Sequence, residues 1–117
     1  MAKSNTKIIY EEKEDILYLS KCKKVKASIE IEDFIIDIDM DGYVSGIEVL
    51  NASENLQISP AKLKQIEKAK MNIIYKPNYV YIFLLLKLKK EKKEVALPLT
   101  ISLGHPKVKK EVVFVKS

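Results

Sequence analysis

Apolar and polar side chains alternate along the first half of the chain with the two-residue period of a strand buried on one face. Isoleucine alternates with polar residues from Ala27 to Glu32, and Phe34–Met40 and Val44–Leu50 continue the pattern. The dipeptide Asp41-Gly42 between the last two runs favours a tight turn, because glycine accepts a positive φ without steric cost. The pattern therefore predicts an antiparallel hairpin over residues 35–50.

The spacing of apolar residues changes after Ser59-Pro60, which is typical of a helix start with a hydroxyl N-cap and proline at the first helical position. Leu63, Ile66 and Lys70 then mark one narrow face, so we predict a helix over Ala61–Lys70. Strands are predicted again further on, with breaks at Pro77-Asn78 and Gly104-His105-Pro106: Ile73–Tyr75, Tyr79–Lys89, Glu94–Leu103 and Val108–Val115. The run Tyr79–Lys89 is apolar on both faces, which predicts a central strand.

These elements predict an α+β fold that is mainly β, with antiparallel β-meanders in two weakly similar halves and one connecting helix near residues 60–70. The 117 residues, 47% of them hydrophobic, suffice for a single domain over 1–117. Ile8-Ile9-Tyr10 recurs as Ile73-Ile74-Tyr75, which suggests pseudo-repeat halves over 7–53 and 72–115. Similar strands also align by chance, so both explanations of the likeness stay open.

Charge is divided unevenly between the two halves of the chain. Residues 1–58 carry 7 Lys and 12 Asp or Glu residues, a net charge of −5, whereas residues 59–117 carry 14 Lys and 4 Glu, a net charge of +10. All 21 basic residues are lysine. Opposite charges on two halves attract each other within one chain or between chains.

The residues at the start of the chain are polar, and its longest apolar run, Tyr79–Leu86, is too short for a membrane-spanning helix. Cys22 is the only cysteine, which excludes an internal disulfide and a zinc site built from cysteines. From these features we expect a cytoplasmic protein that contacts no membrane.

Two motifs in the acidic half carry a family resemblance. They are Asp15-Ile16-Leu17-Tyr18-Leu19 and the run from Asp37 to Ser53, in which Asp-Gly, Gly-Ile-Glu and Asn-Ala-Ser occur at fixed spacing. The stretch Tyr10–Ser53 resembles the domain-of-unknown-function family numbered 2283. The resemblance implies a β-rich fold and a cytoplasmic location. The family has no assigned activity, so the resemblance gives no catalytic residues. Members are little longer than this stretch, so the basic half is a departure from the family.

The series Asp37, Asp39, Asp41 and Glu48, with glycine after Asp41, fits the loop formula of an EF-hand calcium site. An EF-hand needs a helix on each side of its loop, however, and the flanking residues here have the period of strands. We therefore favour a solvated hairpin without metal, and a divalent-ion site remains the alternative.

Lysines cluster in three places in which tyrosines are also near. One cluster lies over 21–26, and the others comprise Lys87, Lys89, Lys90, Lys92 and Lys93, and Lys107, Lys109 and Lys110. Lysine neutralises phosphate, and Tyr75, Tyr79 and Tyr81 are candidate stacking surfaces for single strands. Lysines in turns and on sheet edges also keep a protein soluble, which is the explanation that we favour.

No catalytic group emerges from the sequence. Cys22 has no second cysteine to resolve an oxidised form, and the single histidine, His105, excludes a multi-histidine metal site. The carboxylates of Glu11, Glu12, Glu14 and Asp15 are typical of a charged turn. We expect no cofactor and no enzymatic activity.

The favoured hypothesis is a non-enzymatic protein-interaction module that pairs through an edge strand, because exposed backbone groups supply affinity without special side chains. Its partner is expected to be a second copy or another small protein. The alternatives are a nucleic-acid-binding protein that uses the lysine-rich half and a divalent-ion-binding protein.

Overall fold

Two antiparallel β-sheets pack face to face in the computed structural model, which describes residues 6–76, 80–99 and 108–115. The elements in chain order are β1 (Lys7–Glu11), β2 (Ile16–Ser20), β3 (Val25–Ile31), β4 (Phe34–Asp39), β5 (Val44–Val49), α1 (Ala52–Leu56), α2 (Pro60–Leu63), β6 (Ile66–Tyr75), β7 (Val80–Leu88), β8 (Lys92–Leu99) and β9 (Val108–Val115). The mainly β, α+β class predicted from the sequence is confirmed.

Sheet A contains the first five strands in the order β1-β2-β5-β4-β3. The predicted hairpin is confirmed as β4 and β5, and Gly42 in its turn has a φ of 85°. Asp37 pairs with Gly46 but Ile38 pairs with Val44, so Ser45 is the extra residue of a β-bulge. The sheet is not a simple meander, because β5 returns to pair with β2.

Sheet B contains the other four strands in the order β8-β7-β6-β9. Strands β6, β7 and β8 follow one another as a meander, and β9 then returns beside β6, which is the order of a Greek key. The predicted central strand is confirmed, since β7 lies between β6 and β8. The predicted breaks at Pro77-Asn78 and Gly104-His105-Pro106 lie outside the described residues.

The inner faces of the two sheets form one apolar core. Leu17, Leu19, Ile36 and Ile47 from sheet A are fully buried, and sheet B contributes a similar row from β6, β7 and β9. Burying a large aliphatic side chain stabilises a fold by about 1.5–3 kcal/mol, so this shared core holds the sheets together.

Tyr75 links the two sheets through a polar contact inside the core. Its side chain is 1% exposed, and its hydroxyl accepts a hydrogen bond of 2.8 Å from the Val44 backbone N–H at the start of β5. The ring also meets Tyr43 edge to face, with centroids 5.4 Å apart. Burial, together with the negative charge of Asp39, raises the pKa of Tyr75 to about 12.

The predicted helix over Ala61–Lys70 is wrong in extent. The helix that Ser59 caps, α2, ends at Leu63, and Ile66 already begins the ten-residue strand β6. A bulge between Ile66 and Lys68 delays the inward-facing positions by one residue, so Ile66 and Ala69 are both buried. The three-residue spacing from Leu63 to Ile66 and Ala69 therefore imitates a helix although most of the segment is a strand.

A second short helix, α1, was missed in the sequence interpretation. Its N-cap residue Asn51 has a left-handed backbone with a φ of 48°, and its buried residues are Ala52 and Leu56. The Asn55 side chain donates a hydrogen bond of 3.0 Å to the Asp33 carboxylate, which ties α1 to the turn between β3 and β4.

The two halves differ in strand order, although each half forms one sheet. Ile8-Ile9-Tyr10 lies on the edge strand β1, whereas Ile73-Ile74-Tyr75 lies on β6 between two neighbours. The proposed duplication over 7–53 and 72–115 stays a prediction, as does the single domain over 1–117.

We predict that Tyr75→Phe lowers the free energy of unfolding by about 1–3 kcal/mol, because the buried Val44 N–H is left without its acceptor. Urea denaturation followed by circular dichroism measures the change. Tyr18→Phe is the matched control, since it removes a 3.3 Å hydrogen bond on a half-buried face. An equal or larger loss in the control contradicts the proposed role of Tyr75.

Candidate interaction surface of sheet A

The outer face of sheet A carries a row that combines apolar and acidic residues. Strand register places five outward-facing residues side by side across the whole sheet, and we call them the acidic row: Ile9, Tyr18, Glu48, Ile35 and Glu30. Ile9 is 42% exposed, and Tyr18, Glu48 and Ile35 are half-buried by one another. All five side chains of the row therefore remain at least partly exposed.

A neighbouring row contains Gly46, and its missing side chain makes room for a buried carboxylate. Asp37 lies opposite Gly46 and is 9% exposed. It accepts hydrogen bonds of 3.3 Å from the Tyr18 hydroxyl and 2.8 Å from the Ser28 hydroxyl. A β-carbon on Gly46 would lie 2.8 Å from the Leu19 carbonyl oxygen and 3.2 Å from the Asp37 carboxylate. Glycine is therefore required for this approach of Asp37 to the sheet.

Asp15 connects the first hairpin to the start of α1. Its carboxylate accepts hydrogen bonds of 2.7 Å from the Ser53 hydroxyl and 3.1 Å from the Ser53 backbone N–H. The Tyr10 hydroxyl donates a third hydrogen bond of 2.7 Å. Burial raises the pKa of Asp15, but the hydrogen bonds from Ser53 and Tyr10 outweigh it and hold the pKa below its usual range. Burial and the Asp15 charge raise the pKa of Tyr10 to about 12.

Four residues of the acidic row, all except Glu30, line a shallow depression of about 360 Å³ together with Glu11, Ile16, Ser28 and Asp37. Ile9, Ile16 and Ile35 supply apolar area, and the carboxylates of Glu11, Glu48 and Asp37 supply negative charge. A surface of this kind attracts cationic groups and also gains free energy when its apolar side chains are covered.

The hydrogen bonds between Asp15 and Ser53 join the two sequence motifs, because Asp15 begins the first motif and Ser53 ends the second. Residues 7–53 match the family model described as Protein of unknown function (DUF2283). No curated protein and no solved structure matches the chain. The matched segment contains all five strands of sheet A and ends in α1.

Several polar residues and a glycine in the matched segment hold its structure together. Asp15 and Ser53 hold α1 against the first hairpin, and Tyr18, Asp37 and Gly46 interlock on the outer face. Of the carboxylates that the sequence singles out, Asp15, Asp37 and Asp39 accept hydrogen bonds within the matched segment. The residues of the acidic row are exposed or half-buried, so they remain accessible to a partner.

The four candidate metal ligands in the DUF2283 segment are divided between two places. Asp37 and Glu48 line the depression on the outer face, whereas Asp39 and Asp41 line a separate cavity of about 450 Å³ at the end of the sandwich. The Asp39 carboxylate accepts hydrogen bonds of 2.9 and 3.1 Å from the backbone N–H groups of Asp41 and Tyr43. Among the described residues, no three carboxylate, histidine or cysteine side chains come together as a metal site.

The lysine candidates from Lys87 onward lie outside the matched segment, and those that the structure describes belong to sheet B and its turns. Lys87 and Lys92 are exposed on β7 and β8, and Lys89 and Lys90 are exposed in the turn between these strands. Lys93 belongs to β8, Lys109 and Lys110 belong to β9, and Lys107 lies outside the described residues. The register also adds two exposed or half-exposed lysines of β6, Lys68 and Lys70, which the sequence interpretation did not group with the others.

The tyrosines proposed for stacking differ in location and burial. Tyr75 is buried in the core, so its assignment as a stacking surface was wrong, because β6 turns this position inward. Tyr81 is half-buried on the outer face of sheet B, and Tyr79 lies outside the described residues, as does His105.

Cys22 is exposed with a φ of 57°. No helix within the described ranges is long and apolar enough to cross a membrane.

We predict that Gly46→Ala lowers the free energy of unfolding by about 1–3 kcal/mol, because the added methyl group forces the Leu19 backbone or the Asp37 carboxylate to move. Thermal and urea denaturation measure the loss. Ser28→Ala is the comparison, since it removes one partner of Asp37 without crowding the sheet. A fully stable Gly46→Ala protein contradicts the close approach.

We predict that Asp15→Asn lowers stability at neutral pH by about 1–3 kcal/mol, because it removes the charge from three hydrogen bonds. The pKa of Asp15 is lowered by folding, so its contribution is present above the unfolded-state pKa and is lost as the pH falls through the lowered folded-state pKa. The difference between wild type and variant should therefore shrink in acid. Urea denaturation from pH 7 to pH 3 tests this, and a pH-independent difference contradicts it. Glu14→Gln, on an exposed turn residue, is the control.

Proposed function

We propose that the protein is a non-enzymatic interaction module that binds a polypeptide on the outer face of sheet A. The observation that carries this proposal is the acidic row, in which two exposed or half-exposed isoleucines and a tyrosine lie beside two glutamates across five paired strands. The solvated face of an antiparallel sheet is ordinarily polar. Exposed apolar side chains grouped on such a face are typical of a binding surface.

The chemistry of the surface favours a basic partner with alternating apolar residues. Glu48 lies directly between Tyr18 and Ile35, so a partner lysine or arginine above Glu48 would be flanked by apolar contacts. Covering Ile9, Ile16 and Ile35 contributes affinity, and the carboxylates reject acidic proteins because like charges would meet. We therefore assign the partner as an extended, basic polypeptide segment.

Edge-strand addition remains part of the proposal over a limited length of β3. This strand has one neighbour, β4, so its other edge is free for pairing within the described structure. The bulge between Val25 and Ala27 interrupts the regular edge, which is a common protection against uncontrolled pairing. Regular pairing is thus restricted to Ala27–Ile31, where Ile29 and Ile31 are only half-buried.

The hydrogen bonds that the least exposed carboxylates accept support the proposal of a non-enzymatic module. Asp15, Asp37 and Asp39 each accept several hydrogen bonds that hold a turn, a helix or a neighbouring strand. Groups committed in this way stabilise the fold. A cytoplasmic location is included in the proposal, because an exposed thiol such as Cys22 persists in a reducing compartment.

Fluorescence anisotropy with a labelled peptide tests the proposal. The probe alternates lysine with valine over roughly ten residues, to match an extended partner. We expect wild type to bind it at low salt and Glu48→Lys to weaken binding by about tenfold or more, because a repulsive pair replaces an attractive one. Glu67→Lys, at an exposed position of β6, makes the same charge change outside the surface and should weaken it much less.

Sedimentation velocity of the protein alone covers the second-copy version of the partner. Self-association that Glu48→Lys abolishes and Glu67→Lys preserves supports the module and identifies a second copy as partner. The proposal is overturned if the protein stays monomeric at high concentration and also fails to bind the peptide, or if both variants bind the peptide equally.

A further inference from the structure

A row of three lysines crosses the outer face of sheet B. Lys87 on β7 lies directly opposite Lys68 on β6 and directly opposite Lys92 on β8. All three are exposed, and we call them the lysine row. Together with Lys70 and Leu85 they surround a shallow depression of about 180 Å³.

This arrangement is unfavourable for folding by itself. Like charges directly opposite each other on adjacent strands destabilise a sheet. Other lysines of the chain have carboxylate partners, as in the Lys62–Glu91 pair at 2.6 Å and the Lys64–Glu12 pair at 3.0 Å. The three lysines of the row form no ion pair within the part of the chain that the structure describes. The repulsion would be relieved by an anion bound across the strands.

Aromatic side chains continue from the lysine row along the same strand. Phe83 and Tyr81 are half-buried and face outward on β7, four and six residues before Lys87. Their ring centroids are 6.3 Å apart, and the rings are tilted by 32°. The Lys76 ammonium lies 5.4 Å from the centre of the Tyr81 ring. Cationic and aromatic groups are thus combined along one central strand.

We propose that the outer face of sheet B binds single-stranded nucleic acid. The lysine row contacts successive phosphates, while Phe83 and Tyr81 stack on unpaired bases. Lys70 is not counted among these contacts, because its ammonium lies 3.9 Å from the Glu111 carboxylate. Phosphate contacts require only positive charge, and base stacking on aromatic rings tolerates any sequence. The combination favours a single strand over an acidic protein, whose carboxylates would use the lysines and leave the rings without a matching planar group.

The acidic row does not oppose this binding, because it lies on the other side of the sandwich. Two packed sheets lie roughly 10 Å apart, and the side chains of each outer face project further from the middle. The Debye length is about 8 Å at physiological ionic strength, so the carboxylates of sheet A are screened from a strand on sheet B. The site is therefore independent of the proposed protein-binding surface.

Anisotropy of a fluorescein-labelled oligo(dT) and oligo(U) of about 20 nucleotides tests the proposal. We expect Lys68→Gln/Lys87→Gln to weaken binding by about tenfold and to reduce the slope of log affinity against log salt by about 1.4, as for two lost phosphate contacts. Lys26→Gln, on β3 of the other sheet, is the control and should leave both unchanged. Phe83→Leu keeps an apolar side chain and should weaken binding several-fold without changing the salt slope.

Circular dichroism melting of each variant verifies that it is folded, and polyphosphate and polyglutamate of matched charge serve as competitors. The proposal is overturned if wild type binds neither oligonucleotide at about 50 mM salt. It is also overturned if Phe83→Leu has no effect and polyphosphate competes as well as oligo(dT). Tighter binding of polyglutamate would identify an acidic protein as the partner instead. Each result leaves the peptide-binding test on sheet A unaffected.

Discussion

The packing of one apolar sheet face against another is the constraint on which the structure depends. Each sheet has one face that must leave water, and the shared core of residues such as Leu19, Ile47, Ile73 and Phe114 satisfies both at once. Each sheet then retains one outer face in solvent. Because the acidic half of the chain forms sheet A and the basic half forms sheet B, the sandwich separates opposite charges onto opposite surfaces.

The polar interactions described above fix the positions of the strands and of α1 relative to one another. Tyr75 reaches across the core to the Val44 N–H, Asp15 holds Ser53, and Asp37 lies over Gly46. The first two are hydrogen bonds between segments that are far apart in the chain, and the third is a close approach between paired residues of β4 and β5. Buried polar groups of this kind specify one arrangement, because any other packing would leave them without partners. The segment matched by DUF2283 contains both motifs joined in this way.

The open surfaces are where binding is proposed, and they differ in chemistry. The acidic row combines isoleucine with carboxylates, whereas the lysine row lies beside two aromatic rings. Both place functional side chains on paired strands instead of loops, so their spacing is held by the backbone ladder. A surface held in this way has little conformational entropy to lose when a partner binds.

The two-residue period predicted the β4–β5 hairpin, a continuous apolar run predicted the central strand β7, and residue counts gave the charge division, because each depends on neighbouring residues in the chain. The same local rule failed at Ile66–Lys70, where a bulge shifted the buried positions and imitated a helix. Only the tertiary structure decided the neighbours across strands, such as Lys68, Lys87 and Lys92, or Asp15 and Ser53. Strand register between distant segments sets these contacts, and register depends on how the two faces pack, which no local pattern records.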